Sequence, residues 1–157
     1  MMATIKIFTG PTTSGKTTRL MNWASTQKNI DGIFQPVVEN KRFIYHMGSR
    51  TLKLLEANES NTSDKIVEIG KYKFSNTTFE WAKDVLLKSF NEKLNWLIID
   101  EVGQLEILGK GLEPVIGKII KGYDKFSGNI VFVVKESLLK KFKEKFKLQN
   151  NFEMFEI

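Results

Sequence analysis

Residues 10–17 read GPTTSGKT and lie just after TIKIF, an alternating, β-branched stretch at positions 4–8. Gly10, Gly15, Lys16 and Thr17 match the pattern G-x-x-x-x-G-K-[ST] without a gap. The apolar pattern before it predicts a strand, and Leu20, Met21, Trp23 and Ala24 give the segment after it (about Gly15 to Gln27) the apolar side of a helix. A glycine-rich turn between a strand and a helix suits an anion. Small residues let the backbone curl, the amides of Thr13 to Thr17 point inward, and the helix presents its positive end. Lys16 then reaches β- and γ-phosphates as a flexible point charge, and the Thr17 hydroxyl completes the shell of a magnesium ion. The expected nucleotide-binding set is Gly10, Pro11, Thr12, Thr13, Ser14, Gly15, Lys16, Thr17 and Thr18, with Mg²⁺ as cofactor.

A second element supports the first. NWLIIDE is a short, continuous apolar run ending in Asp100 and Glu101, as expected of a strand buried on both faces. Open α/β sheets place ligands at the carboxyl ends of such strands. Asp100 is expected to hold magnesium together with Thr17. Glu101 is expected to polarise a water for attack on the γ-phosphate, which makes Lys16 and Glu101 the catalytic set. Neighbouring residues on an extended chain point in opposite directions, so the two acids should have different roles.

The remaining segments alternate between strand and helix. GIFQPVVE reads as a second strand, with Pro36 marking a sheet edge or an irregularity. KRFIYH and TLKLLE, joined by MGSR, read as a β-hairpin, and ANESNTSD as an exposed loop. KIVEIGKYKF contains a short strand interrupted by Gly70. The clearest helix is SNTTFEWAKDVLLKSFNEKL, with Ser75 or Asn76 as its cap. LEPVIGKIIKGY is a further helix, with Pro114 near its start and Gly122 near its end. NIVFVV is another buried strand, SLLKKFKEKFK an amphipathic helix, and FEMFEI a final short strand or tail. The expected architecture is a P-loop NTPase fold: three layers, α/β/α, with a mainly parallel sheet and a β-hairpin insertion, in one domain over residues 1–157.

Composition narrows the class. The chain has 157 residues, 41% hydrophobic and 27% charged, and no cysteine, which excludes disulfides and thiolate metal sites and fits a reducing compartment. MMATIKIF has no long apolar run, and WLII and IVFVV are too short to span a bilayer, so a cytoplasmic protein is expected. The net charge of +6 is carried almost entirely by lysine, since the arginines are Arg19, Arg42 and Arg50 alone. Such an excess concentrates anionic partners without separating nucleotides from nucleic acid. Lys140, Lys141, Lys143, Lys145 and Lys147 read as the solvated face of a helix in preference to a nucleic-acid surface.

The stretches IFTGPTTSGKTTRLM, DGIFQPVVE, EIGKYKF and LIIDEVGQLEI together resemble the THEP1-type nucleoside-triphosphatases, P-loop proteins of the additional-strand type. The last stretch is the most distinctive, because that family carries a similar D-E-[IV]-G-x-[ML]-E segment. The resemblance runs to about Val134. It implies slow, magnesium-dependent hydrolysis of ATP, GTP and other triphosphates. It assigns phosphate and metal binding to Lys16 and Thr17, assistance to the metal to Asp100, and the general base to Glu101. The chain departs from the family in the loop interior PTTS, at Gln35 and Val37, and in its ending FEMFEI.

Two other readings stay open: a nucleoside or nucleotide kinase, and a nucleotide-dependent switch with negligible turnover. Nucleoside monophosphate kinases usually add an arginine-rich lid, for which three arginines leave little material. Triphosphate hydrolysis often depends on an arginine that neutralises the transition state. Arg19 should leave the pocket along its helix, and Arg42 and Arg50 read as solvated hairpin charges in preference to that role. His46, the sole histidine, reads as structural or surface.

Overall fold

A computed structural model describes residues 4–10, 15–57 and 65–157. Four strands carry its centre: β1 (Thr4–Gly10), β2 (Ile30–Phe34), β8 (Trp96–Val102) and β9 (Asn129–Lys135). They lie parallel in the order β1-β9-β8-β2. The strand that leads into the glycine-rich loop is therefore separated from the strand that ends in Asp100 and Glu101 by one additional strand. At the β1 edge, β10 (Phe152–Met154) adds a further parallel strand. At the β2 edge the sheet turns antiparallel through β4 (Lys41–His46), which also pairs with β3 (Val37–Val38) and β5 (Thr51–Leu54).

Side-chain alternation on the central strands sorts the core into two layers. Ile98, Val131 and Val133 face α1 (Lys16–Ala24), where Leu20 and Ala24 are buried. Trp23, Trp96 and Phe155 complete that layer, with the Trp23 and Trp96 rings 4.8 Å apart, edge to face. Leu97, Ile99, Ile130, Phe132 and Val134 belong to the larger layer on the other face. There they meet Phe79, Ala82 and Leu86 of α2 (Asn76–Phe90), the short α3 (Gln104–Ile107), Ile116 and Ile119 of α4 (Val115–Lys121), and Phe142 of α5 (Leu139–Lys145). Ser75 caps α2 by accepting a hydrogen bond from the Thr78 N–H at 3.2 Å. No helix among the described residues is long and apolar enough to cross a membrane.

Three local features differ from the sequence expectation. Pro36 splits the expected strand GIFQPVVE into β2 and the two-residue β3, because proline brings no N–H to a ladder. The segment around Gly70 is a hairpin, β6 (Ile66–Ile69) and β7 (Tyr72–Ser75), forming a two-stranded sheet of its own. Gly70 supplies the positive φ of 57° that the turn needs. The third is Lys145, which is not merely solvated: its ammonium donates to the carbonyls of Glu106 and Ile107, at 3.0 Å in the second case, where α3 ends. Most of the expected loop at 57–64 lies outside the described residues.

Candidate nucleotide site

β1 ends at Gly10 and α1 begins at Lys16. Gly15 sits at the helix N-cap with φ 71° and ψ 28°, and a Cβ there would meet nothing within 4 Å. Its glycine is demanded by the left-handed backbone, not by space. Pro11, Thr12, Thr13 and Ser14 lie outside the described residues. Lys16 is buried, and its ammonium donates to the Gly10 carbonyl at 3.2 Å, across the mouth of the loop.

Thr17, one residue further, points its hydroxyl at the end of β8 and donates to Asp100 Oδ2 at 2.7 Å. The Gln35 N–H, just past β2, donates to the same oxygen at 3.3 Å. Asp100 Oδ1 is buried and has no hydrogen-bond partner among the described residues. Burial, and next the neighbouring charge of Glu101, pushes the Asp100 carboxyl up from its ordinary 3.8 to about 7; the Thr17, Gln35 and Arg42 contacts pull the other way without offsetting it. An orphaned carboxylate oxygen beside a threonine hydroxyl is a hard-oxygen donor set, and such a pair fits Mg²⁺. Among the described residues no three His, Cys, Asp or Glu side chains are grouped to hold a metal.

Glu101 is separated from Asp100 by a bulge. The β8–β9 register pairs Asp100 with Val133 and Val102 with Val134, so Glu101 is an extra residue without a partner on β9. Its carboxylate turns toward β4 and lies 3.5 Å from Arg42 Nη1. The two acids thus diverge through a bulge as well as through ordinary alternation. Lys16, Thr17, Thr18, Gln35, Pro36, Arg42, Glu101 and Lys135 line one groove of about 230 Å³, together with Gly15 and Val37.

Sequence reasoning weighed Arg42 and preferred a solvated charge, whereas it lines the groove beside Glu101, and it missed Gln35 and Lys135. A positional signal was available, because all four parallel strands of the centre deliver a residue here. Gly10 ends β1, Gln35 follows β2, Glu101 lies at the end of β8 and Lys135 ends β9. Glu106 was also missed. It is buried, accepts hydrogen bonds from the Gly103 N–H at 2.8 Å and the Leu112 N–H at 2.9 Å, and is pushed by burial from 4.5 to about 7. The first bond is half of a capping box, since Gly103 has no side chain to reciprocate. Of the other residues weighed from sequence, Arg19 leaves the groove and lies over the Phe8 ring at 5.4 Å. His46 is structural: one ring nitrogen meets Asp31 at 3.1 Å and the other meets Ser49 Oγ at 2.7 Å.

A parallel sheet with a Gly-Lys-Thr helix start after its first strand, and an acid at the end of a strand two places away, defines the P-loop NTPase fold. The model of the family described as NTPase matches residues 6–157, and the chain belongs to that family. Two solved structures share the fold. THEP1 from the hyperthermophile Aquifex aeolicus superposes with a TM-score of 0.72 at 17% identity, over 97% of this chain and 88% of that one. The solution structure of a human cancer-related nucleoside triphosphatase gives a TM-score of 0.66 at 18% identity, over 98% and 88% of the respective chains. No protein of curated function matches the chain. Family membership supports nucleoside triphosphate binding and hydrolysis in general terms.

Proposed function

We propose that the chain binds a nucleoside triphosphate through the loop from Gly10 to Thr18 and hydrolyses it, with Mg²⁺, to the diphosphate and phosphate. The observation that carries this reading is the 2.7 Å contact between Thr17 and Asp100, which brings the helix start and the acid into one site. The Lys16 ammonium offsets phosphate charge where the β–γ bond breaks. Thr17 and Asp100 would hold the magnesium ion, whose contribution is to neutralise charge on the β- and γ-phosphate oxygens. Glu101, turned out of the ladder by its bulge, accepts a proton from the attacking water. Arg42 beside it supplies a positive charge on the γ-phosphate side of the groove.

Phosphate release from ATP and GTP, followed with and without Mg²⁺, tests the reading. Turnover is expected to require Mg²⁺ and to fall by about 10²-fold or more in Glu101→Gln, the usual contribution of a positioned base. Equal rates in wild type and Glu101→Gln would remove Glu101 from the chemistry. Tight binding with no turnover in the wild type would make the chain a switch and not a hydrolase.

A further inference from the structure

The groove continues past Glu101 into a second cavity of about 150 Å³. Gln35, Arg42, Glu101 and Lys135 line both. On one side the second cavity is walled by Leu55, Ile69, Tyr72, Phe74, Phe79 and Leu105, and Gly103, Gln104 and Glu106 complete its lining. The Tyr72 and Phe74 rings stack 5.9 Å apart and nearly parallel, and Phe79 meets Phe74 edge-on at 6.1 Å. The β6–β7 hairpin supplies Ile69, Tyr72 and Phe74, although it belongs to no part of the central sheet and Tyr72 is half-exposed.

Two chemical facts bear on this chamber. In phosphoryl transfer the nucleophile and the leaving oxygen lie roughly in line on opposite sides of the γ-phosphorus. If Lys16 and Thr17 hold the β-phosphate side, Glu101 marks the attacking side, and the chamber lies beyond Glu101. The nucleotide's own base hangs from the α-phosphate, at the other end of the chain of phosphates, so it does not belong here. The second fact is size. A single attacking water needs no apolar wall, whereas a cavity of about 150 Å³ has room for a benzene-sized ring.

We propose that this cavity is an acceptor site for a small molecule bearing one six-membered aromatic ring and a hydroxyl group, and that the γ-phosphoryl group passes to that hydroxyl. This inference rests on the triphosphate reading above. The ring lies among Tyr72, Phe74 and Phe79, and the hydroxyl reaches Glu101. The hydroxyl oxygen forms a bond to the γ-phosphorus as the bond to the β–γ bridging oxygen breaks. The electron pair of that bond leaves with the nucleoside diphosphate, and the hydroxyl proton passes to the Glu101 carboxylate. The products are a phosphate monoester and a diphosphate. Without an acceptor, water takes the same place and the outcome is hydrolysis.

The test supplies ATP labelled at the γ-phosphate, Mg²⁺ and one probe at a time: uridine, thymidine, pyridoxine or benzyl alcohol, with adenosine and guanosine as oversized controls. Label is separated into monoester and free phosphate. The expected result is labelled monoester from at least one single-ring probe and little from the two purine nucleosides. Ile69→Trp, at a half-buried hairpin position, fills the cavity and should lower the ratio of transfer to hydrolysis at least tenfold. Tyr72→Ala, at a half-exposed one, should raise the acceptor KM. Label found only as free phosphate with all four single-ring probes overturns the acceptor site and leaves the hydrolase reading standing. Transfer that is undiminished in Ile69→Trp overturns the cavity as its location. If calorimetry detects no uptake of magnesium-ATP by the intact protein, the triphosphate reading fails and the acceptor site with it.

Discussion

Arg42 Nη1 lies 3.5 Å from Glu101 Oε1, with only 27% and 16% of the two side chains exposed. The contact joins the antiparallel edge of the sheet to the bulged end of β8, and it places a guanidinium on the side where γ-phosphate charge would develop. An arginine in that position commonly contributes about 10³-fold or more to turnover. Arg42→Ala is therefore expected to lower phosphate release from ATP by about that factor while weakening nucleotide binding far less. Arg42→Lys should restore only part of the rate, because an ammonium lacks the planar fork. Because the two groups act as a unit, adding Arg42→Ala to Glu101→Gln should lower the rate by much less than the product of the single effects. Steady-state rates set against calorimetric affinities check this. A change confined to affinity would show that Arg42 only binds.

Thr17 and Asp100 lie 83 positions apart in the chain yet share a 2.7 Å hydrogen bond. Thr17→Ala removes that donor and one expected magnesium oxygen. Hydrogen bonds to charged groups contribute about 1.5–3 kcal/mol. The affinity for magnesium-ATP should therefore fall by about 10-fold to 100-fold, measured by calorimetry. Thr17→Ser, which keeps the hydroxyl, should bind close to wild type. Equal affinity in wild type and Thr17→Ala would remove the hydroxyl from the metal shell.

Both buried carboxyls give the metal-free protein a definite pH dependence. Asp100 is raised from 3.8 to about 7 by burial and then by Glu101, and Glu106 from 4.5 to about 7 by burial. A carboxyl raised in the folded state keeps a proton that the unfolded chain has released. Its contribution is therefore complete below about pH 4, falls as pH rises toward 7, and is flat above that. Urea midpoints of the metal-free protein should decline between pH 4.5 and 7.5. Asp100→Asn, which still accepts from Thr17, should flatten the decline and exceed wild type in stability at pH 8. Adding magnesium-ATP should reverse the order, because bound ligand stabilises only the chain that retains the carboxylate. A midpoint that rises with pH in wild type but not in Asp100→Asn would show Asp100 to be ionised in the folded state.

The loop pattern and the acid pair were legible because both are local. Gly15 needs a backbone conformation that glycine adopts freely, and Asp100 ends an apolar run whose burial is written in its composition. Their contact across the sheet was legible only through the rule that ligands gather at the carboxyl ends of parallel strands. Arg42 could not be placed in the same way, because its position follows from an antiparallel strand added beyond β2, and pairing between strands leaves little trace in either one. The hairpin at Gly70 was mistaken for an interrupted strand because IVEI and YKFS are each too short to establish a separate period. Glu106 looked like an ordinary charged residue in a short helix, since nothing in its neighbours announces two backbone donors, one of them six positions away.

Glu106 ties down the segment that follows the acid pair. Its two oxygens take the Gly103 and Leu112 N–H groups, so one side chain fixes both the start of α3 and the turn beyond it. Its own backbone carbonyl accepts from Lys145, which anchors the same turn to α5. Glu106→Ala leaves two N–H groups without their acceptor, at about 1–3 kcal/mol each. The expected loss of stability is about 2–6 kcal/mol, read from urea unfolding at pH 7.5. Glu106→Gln should fall between the two, because an amide offers one oxygen and turns a donor toward the second N–H. Lys145→Met should lose about 1 kcal/mol, since each carbonyl it serves can accept water instead. If Glu106→Ala unfolds at the wild-type urea concentration yet releases phosphate slowly, Glu106 serves the chemistry, and the turn is held by the backbone alone.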